Sequence, residues 1–237
     1  MNIKDVLWEL NHRPRETMIY KDENGEKHKI WYLDNYHPYR QQGVKNWRFD
    51  EASSIMLRFK RGESEAIGWY LLKMLGKFGR KKYYRDIIES PDTRFAAIPG
   101  HSADNHDSGV HKLARMLSAY YCREDFSQCL SRKYTVAKLS SGGNRAVMMH
   151  YRSISVDEKL DVKDKTIFLL DDIVTTGNSM IAGQRILLEA GAAKVYPLAM
   201  GRTVLEPETP FANKKGRENP VSMDDIIVVT DDRYRQR

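Results

Sequence analysis

The sequence predicts an α/β domain, a mostly parallel sheet flanked by helices, with a small N-terminal hood or cap. Three observations carry that expectation. Apolar runs and helix-spaced segments follow one another as strand, helix, strand, strand, helix, strand in the second half of the chain. The run "KTIFLLDD" is continuously apolar until it meets two acids. The length, 237 residues, fits one large domain or a domain with appendages and suffices to bury a sizeable core.

Taken in order, residues 1–50 are rich in aromatic and charged side chains without a dominant period, and short strands and loops are expected there. They make up the cap segment, residues 51–205 the main domain, and residues 206–237 a C-terminal extension. In "ESEAIGWYLLKMLGKFG", Ile67, Tyr70, Leu71, Met74 and Leu75 fall at helical spacing, so an amphipathic helix is predicted. The basic run "GRKKYYRD" reads as the solvated end of a helix, where the dipole favours lysine and arginine. "RFAAIPG" is a strand broken into a loop by Pro99 and Gly100. Val110, Leu113, Ala114, Leu117 and Tyr121 mark a second helix. "SQCLSRKYTVAK" has strand character, and "LSSGGNRAVMMHYRSI" opens with a flexible turn-forming stretch in which Met148 and Met149 read as packing residues. Residues 166–170 form a buried strand with Asp171 and Asp172 at its end. Residues 178–190 form a helix that Gly191 terminates, "AKVYPLAMG" is a further strand, and residues 226–229 add an edge strand. There is no internal repeat and no low-complexity segment.

Composition narrows the function classes. A formal charge of +7 suits anionic ligands (phosphates, nucleotides or nucleic acid) without choosing among them. No apolar run approaches the roughly 18 residues of a membrane span, so no membrane partner is expected. The N-terminus lacks the apolar core of a signal peptide. Cys122 and Cys129 show neither a disulfide nor a metal-ligand pattern, which points to a reducing cytoplasm.

The chemistry concentrates in "TIFLLDDIVTTGNSM". Ligands of an open parallel sheet bind beyond the carboxyl ends of its strands, where Asp171 and Asp172 are expected. Gly177 permits a tight turn, and the following helix aims its unsatisfied N–H groups and positive dipole end at the loop. Thr175, Thr176 and Ser179 add hydroxyls, so the turn suits a phosphate. Carboxylates repel phosphate and must serve another part of the ligand. Sugar hydroxyls or a metal ion would suit them, and a phosphorylated ribose fits both halves. In the plainer alternative Asp172 caps the helix and the threonines fill a turn, but two adjacent acids exceed what capping requires. The stretch is no P-loop, because Asn178 stands where that motif needs lysine.

"IFLLDDIVTTGNSM" resembles the signature of type I phosphoribosyltransferases, which bind 5-phospho-α-D-ribosyl 1-diphosphate (PRPP). "SIMLRFKRGESEAIGWYLL", "AKLSSGGNRAVMMHYRSISV" and "YPLAMGRT" are similar to segments of the ComF-like branch, so the resemblance covers roughly residues 54–203. ComF-type proteins usually carry an N-terminal four-cysteine zinc module, which this chain lacks, and residues 1–50 fall outside the resemblance.

The resemblance implies the type I phosphoribosyltransferase fold and a transfer of phosphoribose to a nitrogen acceptor with release of diphosphate. Asp171 and Asp172 would hold the ribose hydroxyls and touch a metal only indirectly, through water or those hydroxyls. Val174, Thr175, Thr176, Gly177, Asn178 and Ser179 would hold the 5-phosphate. Pro99, Gly100, His101 and Ser102 would face the diphosphate, unless "GHSADNHDSG" is an ordinary polar loop. The spacing of His101, His106 and His111 shows no metal site. Arg145, assisted by Lys138, would fold over the diphosphate from a mobile loop, unless that segment is a plain surface loop. Mg²⁺ is implied as cofactor on the diphosphate. Hypoxanthine–guanine enzymes carry an aspartate where Thr175 stands, which speaks against salvage of that purine class. A non-catalytic sensor of PRPP or a nucleotide, acting with nucleic acid, is the alternative. Nucleic acid and a second copy of the chain stay open as further partners, and the aromatics of residues 31–47 either line a pocket for a base or form a small core.

Overall fold

The computed structural model describes residues 16–21, 25–79, 82–102, 107–135, 147–205 and 227–230. The expectations for Lys138, Arg145, His106 and the turn-forming stretch at residues 139–146 lie outside them. The elements run β1 (Glu16–Lys21), β2 (Lys27–Tyr36), β3 (Arg40–Gln41), β4 (Val44–Lys45), α1 (Glu51–Lys60), α2 (Ser64–Gly79), α3 (Lys82–Ile88) and β5 (Thr93–Ala97). They continue with α4 (Gly109–Tyr120), β6 (Leu130–Arg132), α5 (Val147–Ser153), β7 (Ile154–Val156), β8 (Thr166–Val174), α6 (Asn178–Glu189), β9 (Lys194–Thr203) and β10 (Ile227–Thr230).

The main sheet has the order β10-β1-β2-β9-β8-β5. β2, β9, β8 and β5 are parallel, and β1 and β10 add an antiparallel edge. The expected mostly parallel α/β architecture is therefore present, and β1 and β2 of the N-terminal segment lie in the same sheet as the later strands. β2, ten residues long, is more regular than the short strands expected there, because it has β9 to pair with on one side and β1 on the other.

Side chains of a central strand alternate between two buried faces, and β8 shows both. Ile167 and Leu169 pack with Met180, Ile181 and Leu187 of α6, while Phe168 and Leu170 pack with α1, α2 and α4. On the second face a row of rings crosses four strands. Phe95 lies 5.9 Å from Phe168, Phe168 lies 5.4 Å from Tyr196, and Tyr196 lies 5.3 Å from Trp31. Each fully buried side chain of this size contributes roughly 1.5–3 kcal/mol through area removed from water. α2 is also tied to β2 by a buried ion pair, Lys73 Nζ to both Asp34 oxygens at 2.5 and 2.6 Å.

Several local expectations change. α1 was not foreseen; Asp50 Oδ1 caps it, accepting from the Ser53 N–H at 2.8 Å, and Ile55, Met56 and Phe59 bury its inner face. "GRKKYYRD" is not simply the solvated end of a helix: α3 is a helix of its own, with Ile88 fully buried and Tyr84 edge-on to Trp31 at 5.4 Å. Strand structure in "SQCLSRKYTVAK" is limited, among the described residues, to β6, which pairs with β7 outside the main sheet. Met148 and Met149 are exposed at 44% and 37%, because α5 turns Val147, His150 and Ser153 inward instead. Among the aromatics of residues 31–47, Trp31 and Tyr32 pack into the two faces, whereas Tyr39 and Trp47 are exposed at 45% and 81%.

Candidate active site

The parallel strands end together at one edge of the sheet, and there β8 overshoots β5. Pairing with β5 stops at Ala97 opposite Leu170, followed only by the Ile98 N–H donating to the Leu170 carbonyl at 2.8 Å. On the other side β9 follows β8 as far as Arg202 opposite Val174. Asp171 and Asp172 therefore sit within the strand, in the part that β5 has left, and not after its end as expected. The continuing β9 ladder is what keeps this part of the backbone extended.

The two carboxylates part in the manner of neighbouring strand residues. Asp171 Oδ2 accepts from Ser179 Oγ at 3.4 Å, at the start of α6. Asp172 Oδ2 meets Lys60 Nζ at 3.1 Å, at the end of α1 in the opposite layer. The main chain takes the other oxygens: the Asp172 N–H donates to Asp171 Oδ1 at 2.8 Å and the Ile173 N–H to Asp172 Oδ1 at 2.6 Å. Neither acid caps α6. Gly177 occupies the cap position, with no side-chain cap bond.

Burial and the adjacent Asp172 charge push the Asp171 carboxyl up to about 7, against the pull of Lys60, the Asp172 N–H and the Ser179 hydroxyl. Burial alone would lower Lys60, but the carboxylates of Asp172 and Asp171 outweigh it and hold the ammonium above its ordinary value. Tyr36, at the end of β2, is raised by burial, with Lys60 opposing and Asp172 adding. Lys60, Tyr36 and Asp172 thus form one electrostatic cluster.

The turn at residues 175–179 is shaped from beneath. Gly177 has φ +76°, and a Cβ there would stand 2.9 Å from Tyr20 Cγ and 3.0 Å from Ile30 Cδ1. Glycine is required both by conformation and by the side chains of β1 and β2. Thr175 is exposed, its Oγ1 2.8 Å from Thr203 Oγ1, and Thr176, Asn178 and Ser179 are half-buried. The first helical bond runs from the Ile181 N–H to the Gly177 carbonyl at 2.9 Å, which leaves the preceding N–H groups at the mouth of the turn without helical partners. Val174 differs from its neighbours: its side chain is 2% exposed and belongs to the core. Arg202, cross-strand from Val174, lies over the Tyr32 ring at 5.6 Å, and its Nε is buried without an acceptor among the described residues.

The loop after β5 leaves the sheet at the same edge. Pro99 is buried; Gly100, His101 and Ser102 are half-buried. Among the described residues no group of three or more His, Cys, Asp or Glu side chains could hold a metal ion. The acids present, one oxygen of each on the main chain and Asp172 paired to Lys60, suit contact with a cation carried by a ligand better than a resident one.

Sequence reasoning missed Lys60, Tyr36 and Arg202. Only Lys60 left a local trace: it ends a run with Ile55, Met56 and Phe59 at helical spacing after the cap signal Asp50.

Residues 114–228 match the family model described as "Phosphoribosyl transferase domain". The matched span includes β8, the acid pair and the turn at residues 175–179. A ribose-phosphate pyrophosphokinase of Nostoc sp. is 33% identical over 76 residues, which cover 32% of this chain; the chain spans 23% of the length of that curated relative. Similar solved structures include adenine phosphoribosyltransferase from Leishmania tarentolae, with 12% identity, TM-score 0.39 and coverage of 73% of this chain and 91% of that one. Phosphoribosylpyrophosphate synthetase from Mycobacterium smegmatis gives 16% identity and TM-score 0.39 over 88% of this chain and 80% of that one.

Proposed function

We propose that this chain binds PRPP at the carboxyl edge of its sheet and transfers the phosphoribosyl group to a nitrogen acceptor, releasing diphosphate. The observation that carries this reading is the pair of carboxylates on the overhang of β8, running directly into a glycine turn at the start of a helix. The family match over the same residues supports it.

In this reading the N–H groups and hydroxyls of Thr175, Thr176, Asn178 and Ser179 take the 5-phosphate, and Asp171 and Asp172 accept hydrogen bonds from the ribose hydroxyls. The loop from Pro99 through Gly100 and His101 to Ser102 presents backbone donors to the diphosphate. Arg145 and Lys138 complete that half of the site. Mg²⁺ arriving with PRPP would neutralise part of the leaving-group charge. The acceptor nitrogen forms a bond to the anomeric carbon as the carbon–oxygen bond to diphosphate breaks, and the protein's part is alignment and charge stabilisation. The ComF-like segments quoted above favour that branch. Cys122 and Cys129, both without a disulfide, agree with a cytoplasmic setting.

One observation favours the alternative, a PRPP or nucleotide sensor acting with nucleic acid. The segment around β3 and β4 displays Trp47 and Tyr39 together with exposed Arg40, Lys45 and Arg48, and residues 38–49 contain no acid. Arg48 lies over the Trp47 ring at 4.9 Å. Exposed aromatics among cations suit stacked bases and phosphates.

Titration of PRPP with Mg²⁺, read by calorimetry and by the thermal midpoint, tests the central claim. A ligand at 100 times its Kd stabilises the folded state by about 2.7 kcal/mol, so a clear upward shift is expected in the wild type and none in Asp171→Asn/Asp172→Asn. No binding by the wild type, or equal binding by both proteins, overturns the reading. Diphosphate release with a panel of acceptors then separates the enzyme from the sensor.

A further inference from the structure

Arg132 closes β6, outside the main sheet and opposite Ile154 of β7. Its side chain is buried and spans three segments. Nε donates to the Gly100 carbonyl at 2.5 Å, in the loop that follows β5. Nη1 donates to Ser153 Oγ at 2.5 Å, and Nη2 lies 3.0 Å from His150 Nδ1, both on α5. Ser153 Oγ in turn donates to the His150 carbonyl at 3.0 Å. A guanidinium is a rigid plane of donors, so carbonyl, hydroxyl and imidazole are held in one fixed arrangement, with the His150 proton on Nε2.

We propose that Arg132 is a positioning residue for the diphosphate half of the site, an inference that rests on the PRPP reading above. In a trans peptide the carbonyl and the following N–H point in opposite directions. By fixing the Gly100 carbonyl, Arg132 therefore fixes the direction of the His101 N–H, away from itself. The loop is thereby preorganised as a donor surface, and the ordering entropy it would otherwise lose on binding is already spent in folding. The bonds of Arg132 to Gly100, Ser153 and His150 act on the diphosphate loop, so its effect is expected on ligands that carry a diphosphate.

Calorimetric titration of wild type, Arg132→Gln and Arg132→Lys with three probes (inorganic diphosphate, PRPP and ribose 5-phosphate, each with Mg²⁺) tests this. Loss of one well-placed charge-assisted contact corresponds to about a tenfold or greater loss of affinity. That loss is expected for diphosphate and PRPP, with ribose 5-phosphate within about twofold of wild type. Should the arginine variants fail to fold, Ser153→Ala removes one of the three acceptors and keeps the Gly100 contact; the same selective weakening, smaller in size, is expected. Equal loss for all three probes, or no loss for diphosphate, overturns the positioning role. A wild type that binds none of the probes overturns the PRPP reading itself, and this inference with it.

Discussion

Asp171 ties stability to pH in a direction opposite to that of an ordinary paired carboxylate. Its folded value of about 7 lies above the ordinary 3.8 of an aspartate, so the folded state favours the protonated form. A group raised on folding contributes stability that is fully present below its unfolded value and is lost as pH rises through its folded value. Between about pH 4 and pH 7 this residue should therefore cost the wild type stability. Asp171→Asn removes the titration, and its thermal midpoint should gain on that of the wild type steadily across that window. Parallel melting curves at pH 5 and pH 7.5 would show that the carboxyl is not raised. Lys60 should act in the opposite sense: Lys60→Met removes the cation that opposes the rise and should steepen the pH dependence.

Among the elements, β8, α6 and β9 were legible because each carries its own signal: a continuous apolar run, a glycine at either end of a helix, a second apolar run. What sequence could not show is pairwise. Two aspartates look like the end of a strand, yet β8 continues through them because β9 is still alongside. The contact between Lys60 and Asp172 joins two layers and has no local pattern. Pro99 through Ser102 and residues 175–179 were placed at one edge by the rule for parallel sheets, and the structure brings them there. The floor under Gly177, Tyr20 and Ile30, comes from a segment whose role the sequence left open. Gly177→Ala tests that floor. A left-handed residue with a Cβ costs roughly 1–2 kcal/mol, and forcing the methyl against Tyr20 adds about 1–3 kcal/mol. Urea denaturation should show a loss within that combined range, together with weakened binding of ribose 5-phosphate. A variant as stable as the wild type would mean that the turn can rearrange.

At the scale of the molecule, the strands from residues 16–36 and the later strands share one sheet and one pair of buried layers. Unfolding should then be a single transition, with far-ultraviolet dichroism and tryptophan fluorescence superimposing across urea. Ile30 is fully buried between β1, the turn and α6. Ile30→Ala should cost about 2–5 kcal/mol of global stability and shift both signals together. Two separated transitions would show that the N-terminal strands form a unit of their own.

The strand order also fixes a sequence of events in time. Trp31 pairs with Leu198 and Glu16 with Thr230, so the β1–β2 hairpin meets its outer partners only after the last strands exist. Contacts so distant along the chain are reached late, because the loop they close must be ordered before the pairing repays it. During synthesis β1 and β2 emerge first and wait, with Met18, Tyr20, Ile30 and Tyr32 still without the layer that will cover them. Refolding should accordingly be slow, and aggregation during refolding should fall when residues 16–36 are supplied with a chaperone that holds extended apolar segments.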